Sequence, residues 1–137
     1  MNRVTFVEIV GHKYPLSFSL AAAKEIINRF GSLEKMESTM ASMESVSEDA
    51  IDVVTTILEI LMKQGCAYLN KFSKDLPKEK GTKYDGEYKS LTKEEIEVGI
   101  DVFEVDKAIE AIWLCMNQSS KKEIETESKN AKAPKAD

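Results

Sequence analysis

Residues able to do chemistry are scarce in this chain: among 137 positions there is one His and there are two Cys. A zinc site needs three or four converging thiolate or imidazole ligands, usually in paired short spacings, and His12, Cys66 and Cys115 cannot supply one. Nucleophilic attack by Cys or Ser wants an imidazole base. His12, beside Gly11 in a turn signal, reads as an ordinary surface residue. Both Cys sit in apolar helical contexts, Gly65-Cys66-Ala67 and Leu114-Cys115-Met116, where a reduced thiol behaves as a small hydrophobe. Carboxylate pairs occur at Glu48-Asp49 and Glu94-Glu95, but each falls in the first turn of an expected helix, where the helix dipole already accounts for it. The glycines lie far apart, and Lys80-Gly81-Thr82-Lys83 lacks the spacing of a phosphate-cradling loop. The expectation is a protein without catalytic residues, cofactor, metal or small-molecule substrate.

The elements that must position any site follow from patterning. Val4 to Val10 and Lys13 to Phe18, on either side of the Gly11-His12 turn signal, read as a β-hairpin over 3–18. Pro15 places the second strand at an edge or turns its missing N–H to solvent. Ser19 caps a helix from Leu20 to Phe30, with Leu20, Ala23, Ile26, Ile27 and Phe30 on one face and Gly31 as the stop. Ser32 opens a weaker helix through Met43. Ser47, with Glu48 and Asp49 in the first turn, opens a third that runs beyond Gly65. There Ile51, Val54, Leu58, Leu61 and Met62 form a stripe that Val53, Ile57 and Ile60 widen, which makes this helix central.

A Lys-rich loop follows over 71–90, with a small hairpin suggested at Asp85-Gly86. Thr92 with Glu95 forms a capping box for a short helix, and Asp101 with Glu104 starts the next. Val105, Ile109, Ile112 and Met116 dock that last helix on the core. The fold class expected is mainly α (α+β): an N-terminal hairpin, then a bundle of four to five helices, in a single domain over 1–118. A charged, disordered tail is expected over 119–137.

Composition excludes further classes. Hydrophobic residues make up 42% and charged residues 31%, which fits a globular chain rather than a disordered or membrane one. No apolar run approaches the ~20 residues needed to span a bilayer, and Met1-Asn2-Arg3-Val4-Thr5 lacks a signal-peptide core. The cytoplasm is the default compartment. The formal net charge of -5 argues against nucleic acid, as does the lack of Arg near the loop.

That charge is unevenly distributed. Residues 34–59 carry seven acids and one Lys, 63–93 carry eight Lys and four acids, and 94–118 carry seven acids and one Lys. Such alternation serves either as solvated faces or as a dipolar surface for weak head-to-tail self-association. Two further features suit binding. Met36, Met40 and Met43 recur at helical spacing on an otherwise polar helix, facing either the core or a varied apolar partner. Tyr84 and Tyr88 suit an interface or a loop folded back on the domain.

The order of these elements resembles a known family. A hairpin leading into Tyr14-Pro15-Leu16-Ser17-Phe18-Ser19, a helix closing on Asn28-Arg29-Phe30-Gly31-Ser32-Leu33, a long apolar helix ending near Gln64-Gly65 and the late step Leu91-Thr92-Lys93-Glu94-Glu95-Ile96 look like the tail assembly chaperones of long-tailed phages and prophages of Gram-positive bacteria. The likeness extends over most of 1–118, although the Lys71 to Lys89 loop is longer than in a compact member. It implies a non-enzymatic, mainly helical protein of the bacterial host cytoplasm, absent from the finished particle. Such a protein would bind the tape measure protein, keep it soluble, and give way as the tail tube protein polymerises. Met36, Met40 and Met43, with the adjoining Ile51 to Met62 face, are then expected at the client. Tyr84 and Tyr88, on the loop, are expected at a neighbouring copy. The alternative is a stoichiometric regulatory adaptor, with a nucleic-acid-binding regulator behind it.

Overall fold

A computed structural model describes residues 3–43 and 46–117 of the chain; the charged tail expected over 119–137 lies outside them. The chain begins with two short strands, β1 (Thr5–Ile9) and β2 (His12–Leu16), paired antiparallel with Thr5 opposite Leu16 and Ile9 opposite His12. The turn is therefore Val10-Gly11, one residue earlier than the Gly11-His12 signal suggested, and His12 is a strand residue. Both turn residues have positive φ, 50° at Val10 and 78° at Gly11, the requirement of the two-residue turn whose twist matches a hairpin.

Five helices follow: α1 (Leu20–Phe30), α2 (Leu33–Ser42), α3 (Glu48–Phe72), α4 (Lys93–Gly99) and α5, which covers 105–117 after a 3-10 turn at Val102–Glu104. Each start has a local cause. The hydroxyls of Ser19, Ser32 and Ser47 accept hydrogen bonds from the N–H groups of Ala22, Lys35 and Ala50 at 3.1, 3.0 and 3.0 Å. Thr92 with Glu95 and Asp101 with Glu104 both close capping boxes. Gly31, at φ 98°, ends α1 with its N–H on the Ile27 carbonyl.

The apolar face of α1 is rotated from the one expected. Ala22 and Ile26 are buried, with Ala23 and Phe30 half-buried beside them, whereas Leu20 is 91% exposed and Ile27 points outward. At 3.6 residues per turn, Leu20 and Ile27 share a bearing to one side of the Ala22–Ile26–Phe30 line, so this pair lies off the core.

Helix α3 occupies the centre. Every residue from Val54 to Leu58 is buried, as are Ile60, Leu61 and Met62. One apolar cluster reaches from Val7 of the hairpin to Met116 of α5. The hairpin meets α3 by backbone: a Cβ built on Gly65 would stand 2.3 Å from the Pro15 carbonyl oxygen, and the Ser17 N–H bonds the Leu61 carbonyl at 3.0 Å. Pro15 is buried, not turned to solvent. The N–H groups of Lys13 and Ser17 bond outward to Gly81 and Leu61, and Pro15 lies between them facing the Gly65 turn, where a donor would meet a packed helix.

The Lys-rich loop starts two residues later than expected, because α3 continues to Phe72. It folds back on the domain. Lys13 donates its N–H to Gly81 at 3.0 Å, and the Asn70 amide brackets Tyr88, accepting from its N–H at 2.8 Å and donating to its carbonyl at 3.0 Å. Tyr84 and Tyr88 form an antiparallel bridge around the Asp85-Gly86 turn, with Gly86 at φ 106°.

Candidate functional site

The chemistry-bearing side chains are dispersed and occupied. His12 is exposed on β2. Cys66 and Cys115 are buried free thiols. Burial pushes Cys66 up to about 12 and Cys115 up to about 11, the latter against an opposing effect of the Thr5 hydroxyl. A thiol held that far above neutrality is not a thiolate nucleophile at physiological pH. Glu95 and Glu104 are committed to capping boxes.

A further acidic group pins α4 to α3. Lys93 extends its ammonium to Asp52 and lies 3.7 Å from Glu97. Its N–H donates to Glu59 at 2.8 Å, and the Thr55 hydroxyl donates to Glu97 at 3.0 Å. The Asp52 hydrogen bond is the main reason the Lys93 ammonium is held above its ordinary range. Among the described residues, no group of three or more His, Cys, Asp or Glu is arranged to hold a metal ion, and no helix is long and apolar enough to cross a membrane.

The residues expected at partners divide by burial. Met36 and Met40 are inside the core, Met36 with no exposed surface at all, and Met43 is half-buried at the end of α2. The methionine stripe is therefore not an open surface in this folded state: it packs α2 against the rest of the domain, and a client could reach it only by displacing α2. Tyr88 is likewise buried, held by Asn70. Tyr84 is exposed, with its ring 4.8 Å from that of Tyr88 and the Lys78 ammonium 4.5 Å from its centre.

Two surfaces carry exposed apolar side chains, one without a counterpart among the expected sites and one within the Lys-rich stretch expected at a neighbouring copy. The first is a groove of about 530 Å³ between the hairpin turn and the α4–α5 corner, lined by Val10, Gly99 and Leu114 with Glu8, Glu104 and Glu110 around them and Lys107 as the one cation. An adjoining recess shares Val10 and Gly99 and adds Val98, Glu94 and Glu95. Phe103, next to the lining Glu104, is 93% exposed. The second surface is the corner where α3 runs into the loop, with Phe72 and Leu76 exposed among Lys71, Lys74, Lys78 and Lys80. Exposure of Val102 and Phe103 had a local signal: with Asp101 and Glu104 in a capping box, the two occupy the first turn.

Among the described residues, no acid, base and nucleophile come together in one recess. Comparison with protein-family models, with curated proteins and with solved structures finds no match to the chain.

Proposed function

We propose that the protein is a tail assembly chaperone of a long-tailed phage or prophage, acting in the host cytoplasm by binding the tape measure protein until the tail tube polymerises. The observation that carries this reading is the order of elements. A hairpin, a glycine-stopped α1, a short α2, a long buried α3 and the capped step into α4 and α5 follow one another as the sequence resemblance requires. The burial of both thiols and the use of Glu95, Glu97 and Glu104 in caps and helix packing support a role in binding over one in catalysis. In this reading the client meets apolar side chains that the fold leaves outside, Leu20 and Ile27 of α1 among them, and not Met36 or Met40.

Co-expression with a phage tape measure protein tests the proposal. The expected outcome is a client that becomes soluble and co-purifies with many copies of this chain. A client that stays insoluble, or a complex of one copy each, favours the adaptor instead. The neighbouring open reading frames provide a second check: a tail tube gene before this one and a very long coiled-coil-rich gene after it are expected.

A further inference from the structure

We infer that the chain associates with copies of itself head to tail, the acidic-rimmed groove beside Val10 on one copy receiving the lysine-rich corner around Phe72 and Leu76 of the next. The contact does not depend on the client reading and stands or falls by its own test.

Three observations carry it. The first is Val10. It sits in the left-handed region at φ 50° and is 73% exposed. A β-branched residue there is a strained outlier where Asn, Asp or Gly is at ease. Its side chain adds little to the core, so neither local preference nor folding accounts for a valine at the lip of the groove. Strain of this kind gathers at functional positions, and a partner that covers Val10 supplies the missing reason.

The second is complementarity within one chain. The groove and its recess present Glu8, Glu94, Glu95, Glu104 and Glu110 against a single Lys107. The corner presents Lys71, Lys74, Lys78 and Lys80 around Phe72, which is 70% exposed, and Leu76. The corner also carries Asp75 and Glu79, so its four Lys leave it net basic while the groove is net acidic; opposite net charge beside exposed apolar side chains is the pattern that steers and registers a protein contact.

The third is placement. The groove runs along β1 from Phe6 to Val10 and reaches the hairpin turn, whereas the recess that includes Leu76 takes in Arg3 and Val4 at the other end of the strand and meets the groove at Phe6. The two are different surfaces of one chain, and a contact between unlike surfaces propagates into chains or rings. With charge around both surfaces, the association is salt-sensitive.

Sedimentation velocity of the full chain over a concentration series at low and high salt tests this. The expected result is mass above the monomer that grows with concentration at low salt and falls back at about 1 M salt, where screening extends over only ~3 Å. Val10→Asn should raise the melting temperature, by relieving strain, while weakening association about tenfold through loss of a buried valine. A groove variant (Val10→Asn with Leu114→Ser) and a corner variant (Phe72→Ser with Lys78→Glu) should each remain monomeric alone. Mixed, they should form a dimer and nothing larger, since one intact groove and one intact corner remain. A chain that is monomeric throughout, an assembly insensitive to salt, or paired variants that do not combine overturns the inference. So does a Val10→Asn chain that associates as tightly as the parent.

Discussion

Replacing Gly65 with alanine tests how the hairpin and α3 are joined, because two physical effects predict opposite signs. Gly65 lies inside a helix of 25 residues, and in a helix interior alanine is favoured over glycine by about 1 kcal/mol. Helix propensity alone therefore makes Gly65→Ala stabilising. The structure says otherwise: the new Cβ would stand 2.3 Å from the Pro15 oxygen, 2.4 Å from its carbonyl carbon and 2.7 Å from the Leu16 nitrogen. A carbon and an oxygen in contact sit about 3.3 to 3.6 Å apart, so the strand must retreat by about 1 Å. These neighbours are backbone and cannot swing aside. The retreat strains the Ser17–Leu61 hydrogen bond, now 3.0 Å, and loosens the packing of buried Tyr14 and Leu16. Overpacking costs about 1–3 kcal/mol and the weakened hydrogen bond about 1 kcal/mol. Set against the propensity gain, the net destabilisation is about 2 kcal/mol, a fall in Tm of about 7 °C for a domain of this size. Thermal and urea unfolding followed by far-UV circular dichroism measures it. Gly99→Ala is the control, since its Cβ meets side-chain methyl groups of Ile9 and Val10 at 2.8 and 3.3 Å, which can move, and it should lose less. A Gly65→Ala protein as stable as the parent, or more so, would refute the backbone-to-backbone junction.

Met36→Ala should lower stability by about 2–5 kcal/mol, the range for truncating a fully buried side chain, in urea unfolding of the isolated protein; a loss of client binding at unchanged stability would instead return the methionine stripe to the surface. Asn70→Ala removes both bonds to the Tyr88 backbone and should cost about 1–3 kcal/mol, with faster proteolysis within 73–88 read by mass spectrometry. Ellman's reagent should label neither Cys66 nor Cys115 in the native protein and both in urea. Because burial raises both thiols in the folded state, from an ordinary 9.0 to about 12 and about 11, their contribution to stability is complete below pH 9 and is lost as the pH rises toward those values. The urea midpoint should accordingly fall as the pH is raised above 9, and Cys66→Ala with Cys115→Ala should flatten that fall.

Local signals were the legible part of the fold. A cap is a matter of three or four consecutive residues, so Ser19, Ser32, Ser47, Thr92 with Glu95, and Asp101 with Glu104 mark helix starts that the structure places where the sequence puts them. Bearing and burial were less legible, because they are set by distant partners. Leu20 and Ile26 are equally apolar, and only the docking of α1 on α3 decides that one is exposed and the other enclosed. The Met36 and Met40 spacing is the same whether the stripe meets a core or a client. Tyr84 and Tyr88 look alike in sequence, and the difference between them is Asn70, eighteen residues before Tyr88. Gly65 reads as a helix end when it is a helix crossing, since the chain that needs its missing Cβ lies fifty residues earlier, at Pro15.

Packing accounts for most of the apolar and reactive side chains in this protein, and the exceptions show where local rules are broken. Inside, the adaptable and reactive side chains are consumed by packing: Met36, Met40, Met62, Met116, Cys66 and Cys115 are all buried. Outside, single exposed apolar residues need no explanation on any protein surface. At the turn and the α4–α5 corner, however, Val10 and Val98 line one recess, Val102 and Phe103 stand exposed just after α4, and Val10 keeps a strained backbone as well. A sequence selected only for stability would place Asn at position 10 and polar residues at 102 and 103, each substitution favourable by ordinary turn and first-turn chemistry. Apolar residues retained at this corner beside several acids are what the proposed contact between copies would explain.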